Sequence, residues 1–146
     1  MNSPHRFSRL VSIRQIREET HALSLARSMK RLEELQQQQQ RLQQETLEAQ
    51  QQARRSFEEG ERLSPLLYEN YYKGQQWRQE KLCRFIDAAQ QNVEQQRQLW
   101  FEARKLLQQV ERLDEKAQQQ QYQQLRSKQS KEMDQVGITR YYQKDR

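Results

Sequence analysis

Apolar residues recur every three or four positions over a long stretch in the second half of the chain. Between Leu82 and Ala117, alternate steps of three and four residues meet eleven positions, of which nine are apolar. Such a period of 3.5 residues places the side chains along one side of a long helix, which must supercoil about a partner helix to bury them. The eleven positions of this predicted seam are Leu82, Phe85, Ala89, Asn92, Gln96, Leu99, Ala103, Leu106, Val110, Leu113 and Ala117.

The first half of the chain carries a weaker pattern of the same kind. From Leu32 onward, the same steps meet Leu32, Leu35, Gln39, Leu42, Thr46, Ala49 and Ala53, and five of these seven are apolar. Before Leu32 an eleven-residue spacing fits better than a heptad, and it predicts a straighter pairing at this end. The positions of that spacing are Leu10, Ile13, Arg17, His21, Leu25, Ser28 and Leu32. The sequence therefore predicts a second long helix, which supplies the partner for the first.

A break in both patterns lies between Gly60 and Gly74, in the segment GERLSPLLYENYYKG. Ser64-Pro65 and the two flanking glycines are expected to interrupt a continuous helix. We therefore predict an all-α fold of one domain, a long antiparallel two-helix coiled-coil hairpin. Its parts are helix 1 over about 5–59, an aromatic connector over about 60–75, helix 2 over about 76–136 and a basic C-terminal tail over 137–146.

The predicted seams also predict how the two helices align. Matching them around a connector centred near Leu67 brings both termini to one end of a rod and the connector to the other. The expected neighbours are Leu42 with Asn92, Leu35 with Leu99, and Leu25 with Val110.

Composition favours this helical rod over a compact core or a disordered chain. Apolar residues make up only 33% of the sequence and charged residues 32%, which is too few apolar residues for a globular core of 146 residues. Three Gly and two Pro in the whole chain favour long helices over disorder. The single Cys83 excludes an internal disulfide and fits a reducing compartment. Because no apolar span of 18 residues and no secretory signal is found, we expect a soluble, cytoplasmic protein.

Positive charge gathers near the two termini. Residues 1–31 carry seven Lys and Arg against two Glu, a net of +5, and residues 125–146 carry six basic against three acidic residues, a net of +3. Since the whole chain has a net charge of +6, residues 32–124 have a net of −2. A basic pole favours an acidic partner, such as a protein ring or groove or an anionic membrane. Nucleic acid is disfavoured, because the chain has no basic region that leads into a parallel zipper and no zinc spacing.

Catalytic chemistry finds no support in the sequence. The only histidines are His5 and His21, and neither has a Cys or an acidic cluster at metal-ligand spacing. No Gly-rich loop could hold a phosphate, and a two-helix rod offers no concave pocket. The sequence predicts a protein that is not an enzyme and that holds no cofactor or metal.

The sequence leaves open whether two apolar groups pack within the coiled coil or bind a partner. Tyr68, Tyr71 and Tyr72 in the connector either cap the open end of the coiled coil or form an exposed aromatic surface. A column at heptad spacing lies one residue after the predicted seam and consists of Ile86, Val93, Trp100 and Leu107. It either widens the core or, with Phe101 beside Trp100, forms a groove where a partner docks.

Four stretches of the chain resemble the flagellar type III export protein FliJ and its injectisome counterparts of the YscO type. They are FSRLVSIRQIREE from Phe7, LLYENYYKGQQW from Leu66, LWFEARKLLQQVERLDEK from Leu99 and KEMDQ from Lys131. The chain departs from the family at Gln135, where an acidic residue is usual, and in its Gln-rich surface. The resemblance does not separate a flagellar from an injectisome system.

The resemblance implies a stalk that escorts chaperones within an export apparatus. Proteins of this family engage the hexameric export ATPase with the end that bears the termini, and they contact the export gate membrane protein and substrate-free export chaperones. By this resemblance the residues facing the ATPase are Arg6, Arg9, Arg14 and Arg17, with Lys131 and Met133 beside them. The gate or chaperones would use Ile86, Val93, Trp100, Phe101, Leu107, Tyr68, Tyr71 and Tyr72.

The resemblance also implies a location and a state. The protein would be cytoplasmic, would reach the inner membrane only through its partners, and would be monomeric when free. The alternative function is a structural scaffold or adaptor, a coiled coil that oligomerises through its apolar seams.

Overall fold

Two long helices make up the fold of this protein. The structure, a computed structural model, describes residues 5–60 and 65–144, with side-chain burial described from Phe7 onward. Helix α1 spans His5–Glu58 and helix α2 spans Pro65–Lys144, with 54 and 80 residues. They pack against each other as a helical hairpin, which confirms the predicted all-α class and architecture.

Helix α1 ends at a glycine in the left-handed conformation. Gly60 has a φ of 80°, and its N–H donates to the carbonyl of Phe57 at 3.2 Å. The N–H of Glu59 donates to the carbonyl of Arg55 at 3.0 Å. A glycine just beyond the last turn is a common end of a helix, because it adopts a positive φ without the steric cost of a Cβ.

Helix α2 is longer at both ends than the sequence predicts. It begins at Pro65, whereas the prediction placed its first residue near 76. The segment expected to be an aromatic connector is therefore helical. It also runs through Gly137 to Lys144, where the prediction placed a tail from 137. Proline suits the first position of a helix, since the N–H that it lacks would have no partner there. A single glycine inside a helix costs only about 0.5–1 kcal/mol, so Gly74 and Gly137 do not end α2.

The buried face of α1 follows one uninterrupted heptad pattern. The eleven-residue spacing predicted for its first part is wrong, because Leu10, Ile13 and Arg17 are exposed. The heptad predicted from Leu32 onward is confirmed. The buried and half-buried positions at steps of four and three are Phe7, Val11, Arg14, Glu18, His21, Leu25, Ser28, Leu32, Leu35, Gln39, Leu42, Thr46, Ala49, Ala53 and Ser56.

The buried face of α2 keeps only half of the predicted seam. We name three columns at heptad spacing. The shared column is both predicted and found in the interface; it consists of Leu82, Ala89, Gln96, Ala103, Val110 and Ala117. The buried column was placed beside the seam but lies in it; it consists of Ile86, Val93, Trp100 and Leu107. The uncovered column was placed in the seam but is exposed; it consists of Phe85, Asn92, Leu99, Leu106 and Leu113.

One helix can cover only two adjacent columns in seven, whereas α2 has three that are largely apolar. Phe85 is 49% exposed and its neighbour Ile86 is 7% exposed. The prediction for the second seam column was therefore wrong by one residue. The sequence pattern did not decide between the columns, because each contains four apolar residues.

The two helices form two compact units, each built from a part of both helices. The turn unit covers Thr20–Phe101, and its core is formed by Leu35, Ile86 and Ala89. Leu32 and Leu82 pack against this cluster.

The same contacts fix the alignment of the helices in the turn unit. Asn92 Nδ2 donates to Ser28 Oγ at 3.3 Å, so Asn92 lies beside Ser28 rather than Leu42. Leu35 packs against Ile86 rather than Leu99. The predicted alignment was wrong in both pairs, because α2 already begins at Pro65, so Leu67 lies inside a helix and is not the centre of the connection.

The terminal unit comprises Met1–Glu19 and Glu102–Arg146, of which residues 5–19 and 102–144 are described. Buried or half-buried side chains continue along α2 as far as Ala117. Every described residue from Gln118 to Lys144 is exposed, and we call this segment the C-terminal extension. Neither α1 nor α2 contains a segment of the length and apolar character that a membrane span requires.

Candidate partner-binding surfaces

The candidate functional features of this protein are exposed surfaces of its two units. Among the described residues, no three His, Cys, Asp or Glu side chains come close enough together to hold a metal ion. Cys83 is an exposed free thiol, and Gln39 Nε2 lies 3.4 Å from its Sγ. His21 is half-buried at a heptad position of α1.

The terminal unit carries most of the excess positive charge. Its sequence contains 14 Lys and Arg against nine Asp and Glu, a net of +5, which leaves +1 for the turn unit. Arg9 and Arg17 are exposed on α1, whereas Arg14 is half-buried at a heptad position. The side chain of Arg6 lies outside the described part of the structure. Among the described side chains of this group, Arg9 and Arg17 are therefore the exposed ones.

The sequence-based interpretation expected Lys131 and Met133 to lie beside these arginines, but they lie apart from them. Both belong to the C-terminal extension, and Met133 is 76% exposed. Lys131 lies 14 residues beyond Ala117, about 21 Å along a helix at 1.5 Å per residue. The extension is thus a second surface of the terminal unit, separate from the paired segment that carries the arginines.

Sequence reasoning missed the apolar stripe on the extension. Tyr122, Leu125, Met133 and Val136 are all exposed, and helical geometry places them within an arc of about 80°. The surrounding Gln-rich sequence hides this pattern, which becomes visible once the buried face of α2 is known to end at Ala117. Lys and Arg outnumber Asp and Glu five to two in the extension.

The aromatic residues at the start of α2 are exposed. Tyr68, Tyr71 and Tyr72 lie in its first turns and, with Leu66 and Leu67, face solvent in the described chain. Tyr71 also covers a buried polar group, because Gln75 Nε2 donates to its hydroxyl oxygen at 2.8 Å and Gln75 is buried. This burial pattern favours an exposed aromatic surface over a cap that closes the end of the coiled coil.

A shallow groove continues this aromatic surface along the turn unit. It has a volume of about 390 Å³ and its aromatic walls are Trp77 and Phe85. Lys81 Nζ lies 5.1 Å from the centre of the Trp77 ring and 5.9 Å from that of Phe85, within the range of a cation–π contact. Arg78 also lines the groove, so the charges along it are positive.

The buried column is placed between the helices. Ile86 and Val93 are buried, while Trp100 and Leu107 are half-buried. This placement favours the account in which the column widens the core. Phe101, the next residue after Trp100, is exposed.

Comparison with known proteins identifies the family of this helical hairpin. The family model described as Flagellar FliJ protein matches residues 3–146. No curated protein and no solved structure matches the chain. The chain belongs to the FliJ family and is therefore a non-enzymatic, coiled-coil component of the flagellar protein export apparatus.

Proposed function

We propose that this protein is the stalk of the flagellar export apparatus that engages the hexameric export ATPase through its terminal unit. The observation that carries the proposal is the concentration of charge, +5 in the terminal unit against +1 in the turn unit. A basic surface is attracted to an acidic ring and accelerates association with it. The candidate contact residues on α1 are Arg6, Arg9, Arg14 and Arg17, of which Arg9 and Arg17 are exposed. Lys131 and Met133 on the C-terminal extension form a second point of contact.

The test of this proposal reverses charge at the two exposed arginines. Arg9→Glu combined with Arg17→Glu should weaken binding to the purified ATPase at least tenfold, with little change in helicity because both positions are exposed. Arg41→Glu combined with Arg54→Glu makes the same change in charge on the turn unit and should leave binding nearly unchanged. Binding of the original chain should weaken as salt rises. Equal loss in the two double variants, or binding that does not respond to salt, would contradict the proposal.

We further propose that the turn unit contacts the export gate membrane protein or substrate-free export chaperones. The exposed aromatic surface of Tyr68, Tyr71 and Tyr72 supports this, since tyrosine is enriched among binding hot spots and exposed apolar patches mark interaction sites. Phe101 is a further exposed candidate on the same unit. Of the buried column, Trp100 and Leu107 are half-buried, and Ile86 and Val93 would require the helices to rearrange before they could contact a partner.

The gate and chaperone contacts are tested on the tyrosines. Tyr68→Ser combined with Tyr72→Ser should lower binding to the cytoplasmic part of the gate protein, or to a purified export chaperone, at least tenfold. Tyr122→Ser on the terminal unit removes a tyrosine that is even more exposed and should leave this binding intact. The protein would be cytoplasmic and reach the inner membrane through these partners alone.

A structural scaffold remains the second candidate, because the uncovered column leaves Leu99, Leu106 and Leu113 exposed. Sedimentation separates the two functions. A monomer of 18.0 kDa at micromolar concentration supports the stalk, whereas an obligate dimer supports the scaffold.

A further inference from the structure

Helix α2 has two alternative apolar seams in the turn unit. Both use the shared column, with Leu82 and Ala89. One adds the buried column, represented by Ile86 and Val93, and the other adds the uncovered column, represented by Phe85 and Leu99. In heptad geometry the two added columns lie on opposite sides of the shared column, about 50° away on either side. A rotation of α2 by about 50° about its own axis would therefore exchange one seam for the other.

We propose that the turn unit can pair in two registers, the one observed and one in which α2 slides by three residues along α1. In the second register, α1 of the same chain covers the uncovered column. The slide is about 4.5 Å at the rise of an α-helix. The rotation requires the slide. From Leu82, the steps along α2 are four then three in the observed seam and three then four in the alternative seam, and a shift of three residues brings the alternative steps into line with those of α1. This inference does not depend on the proposed function.

The two registers offer similar apolar contacts. In the observed register, Leu35 packs with Ile86 and Ala89, and Leu32 and Leu82 flank them. A slide of three residues would bring Leu35 opposite Ala89. It would also bring two pairs of leucines together, Leu42 with Leu82 and Leu25 with Leu99. Polar seam positions such as Ser28 and Gln39 occur in both registers, so neither gains a wholly apolar core.

Few specific contacts hold the observed register. The hydrogen bond from Asn92 to Ser28 measures 3.3 Å, and Gln39 Nε2 lies 3.4 Å from the sulfur of Cys83. The first is longer than the usual range for an N–H···O hydrogen bond, and in the second the acceptor is a thiol sulfur, which accepts only weakly. The slide must also lengthen the connection between the helices by three residues. These can come from the helix ends next to the turn, because the described residues Phe57–Gly60 and Pro65–Gly74 are all exposed.

The slide has a consequence for recognition. It turns Ile86 and Val93 out of the interface and covers Leu99, so each register presents a different apolar column to solvent. A partner that binds the buried column would select the second register from the existing equilibrium. The hairpin is thus a two-state element, and its two states differ in which apolar column of α2 is exposed to solvent.

Thiol labelling can measure which column is covered. The experiment uses the full chain with Cys83→Ser, so that one introduced cysteine reports alone. Leu99→Cys reports on the uncovered column. Gln90→Cys, an exposed position on another face of α2, is the control reporter. The second register is favoured by Ile86→Gln with Val93→Gln, since glutamine is tolerated wherever the buried column faces solvent.

We expect the Leu99→Cys thiol to react at least tenfold more slowly once Ile86→Gln and Val93→Gln are present, while the Gln90→Cys thiol keeps its rate. Far-ultraviolet circular dichroism should show an unchanged helical content and a cooperative thermal transition. Adding Phe85→Gln spoils both seams and should abolish that transition, whereas Phe85→Gln alone should leave it unchanged and leave the Leu99→Cys thiol reactive.

Two results would overturn the proposal. The first is a helical Ile86→Gln, Val93→Gln chain in which the Leu99→Cys thiol stays as reactive as before, because the helices then remain in one register. The second is loss of the cooperative transition in that chain without Phe85→Gln, because the uncovered column then provides no alternative seam.

Discussion

The neighbour of Leu35 decides the register of the turn unit, and a double-mutant cycle can identify it. Leu35 is 3% exposed and packs with Ile86, whereas the heptad pattern alone would place it opposite Leu99. The cycle compares Leu35→Ala and Ile86→Ala, singly and together, with the same scheme for Leu35→Ala and Leu99→Ala. Side chains in contact give a coupling energy, and distant ones add.

The expected magnitudes follow from burial. Leu35→Ala should lower the free energy of unfolding by about 2–3 kcal/mol, at the low end for a core leucine because solvent can enter a two-helix interface. Ile86→Ala should cost about 2 kcal/mol and Leu99→Ala less than about 1 kcal/mol, since Leu99 is 44% exposed. The Leu35 and Ile86 pair should couple by about 1 kcal/mol, and the Leu35 and Leu99 pair by less than about 0.5 kcal/mol.

Urea unfolding followed by circular dichroism at 222 nm (a wavelength that reports helix) provides the free energies. The slope against urea must stay constant across the variants, so that the differences report stability and not a change in the extent of unfolding. A loss of about 2 kcal/mol should lower the Tm by roughly 4–8 °C for a chain of this length. Coupling of Leu35 to Leu99 in place of Ile86 would refute the observed register.

Four further changes test other parts of the structure. Trp100→Ala should lower the free energy of unfolding by about 2–3 kcal/mol in urea titrations, because the side chain is half-buried between the helices. Deletion of residues 118–146 should change the Tm of the paired helices by less than roughly 3 °C but weaken ATPase binding, measured by pull-down, since no described side chain there is buried. Gly74→Ala should stabilise the protein by about 0.5–1 kcal/mol, because no atom lies within 4 Å of the added Cβ. Gly60→Ala should destabilise it by about 1–2 kcal/mol in the same assay, because its φ is +80°.

Hydrophobic periodicity was sufficient to predict two paired helices but not their exact contact. The spacing of Leu32, Leu35 and Leu42 fixed the buried face of α1, where leucine has no apolar competitor in an adjacent column. On α2, Phe85 and Ile86 are adjacent and both apolar, so the pattern alone gave no preference between them. In the structure Ile86 lies in the interface and Phe85 is exposed, so this column of the predicted seam is displaced by one residue.

The alignment error has a different origin. Glycine and proline predict a connector that ends at Gly74, but in this chain neither Pro65 nor Gly74 interrupts α2. Because Pro65 begins α2, the aromatic segment joins the helix and every facing pair moves. Among the candidate site residues, Arg9, Arg17 and the three tyrosines are exposed, and their binding role stays a prediction. The sequence could not place Lys131 and Met133, since their separation from the arginines depends on where α1 begins along α2.

The C-terminal extension is a helical segment that needs no nucleation step of its own. Nucleating a helix in isolation carries an unfavourable factor of roughly 10⁻³, which a free segment must overcome before its helix can propagate. Here the first turns are already formed, because α2 is held against α1 up to Ala117 and the extension only propagates it. Any opening should therefore begin at Lys144 and move inward, and a partner that grips the stripe from Tyr122 to Val136 would need to order only the outer turns. The pairing of the two helices thus prepares a binding segment that it does not touch.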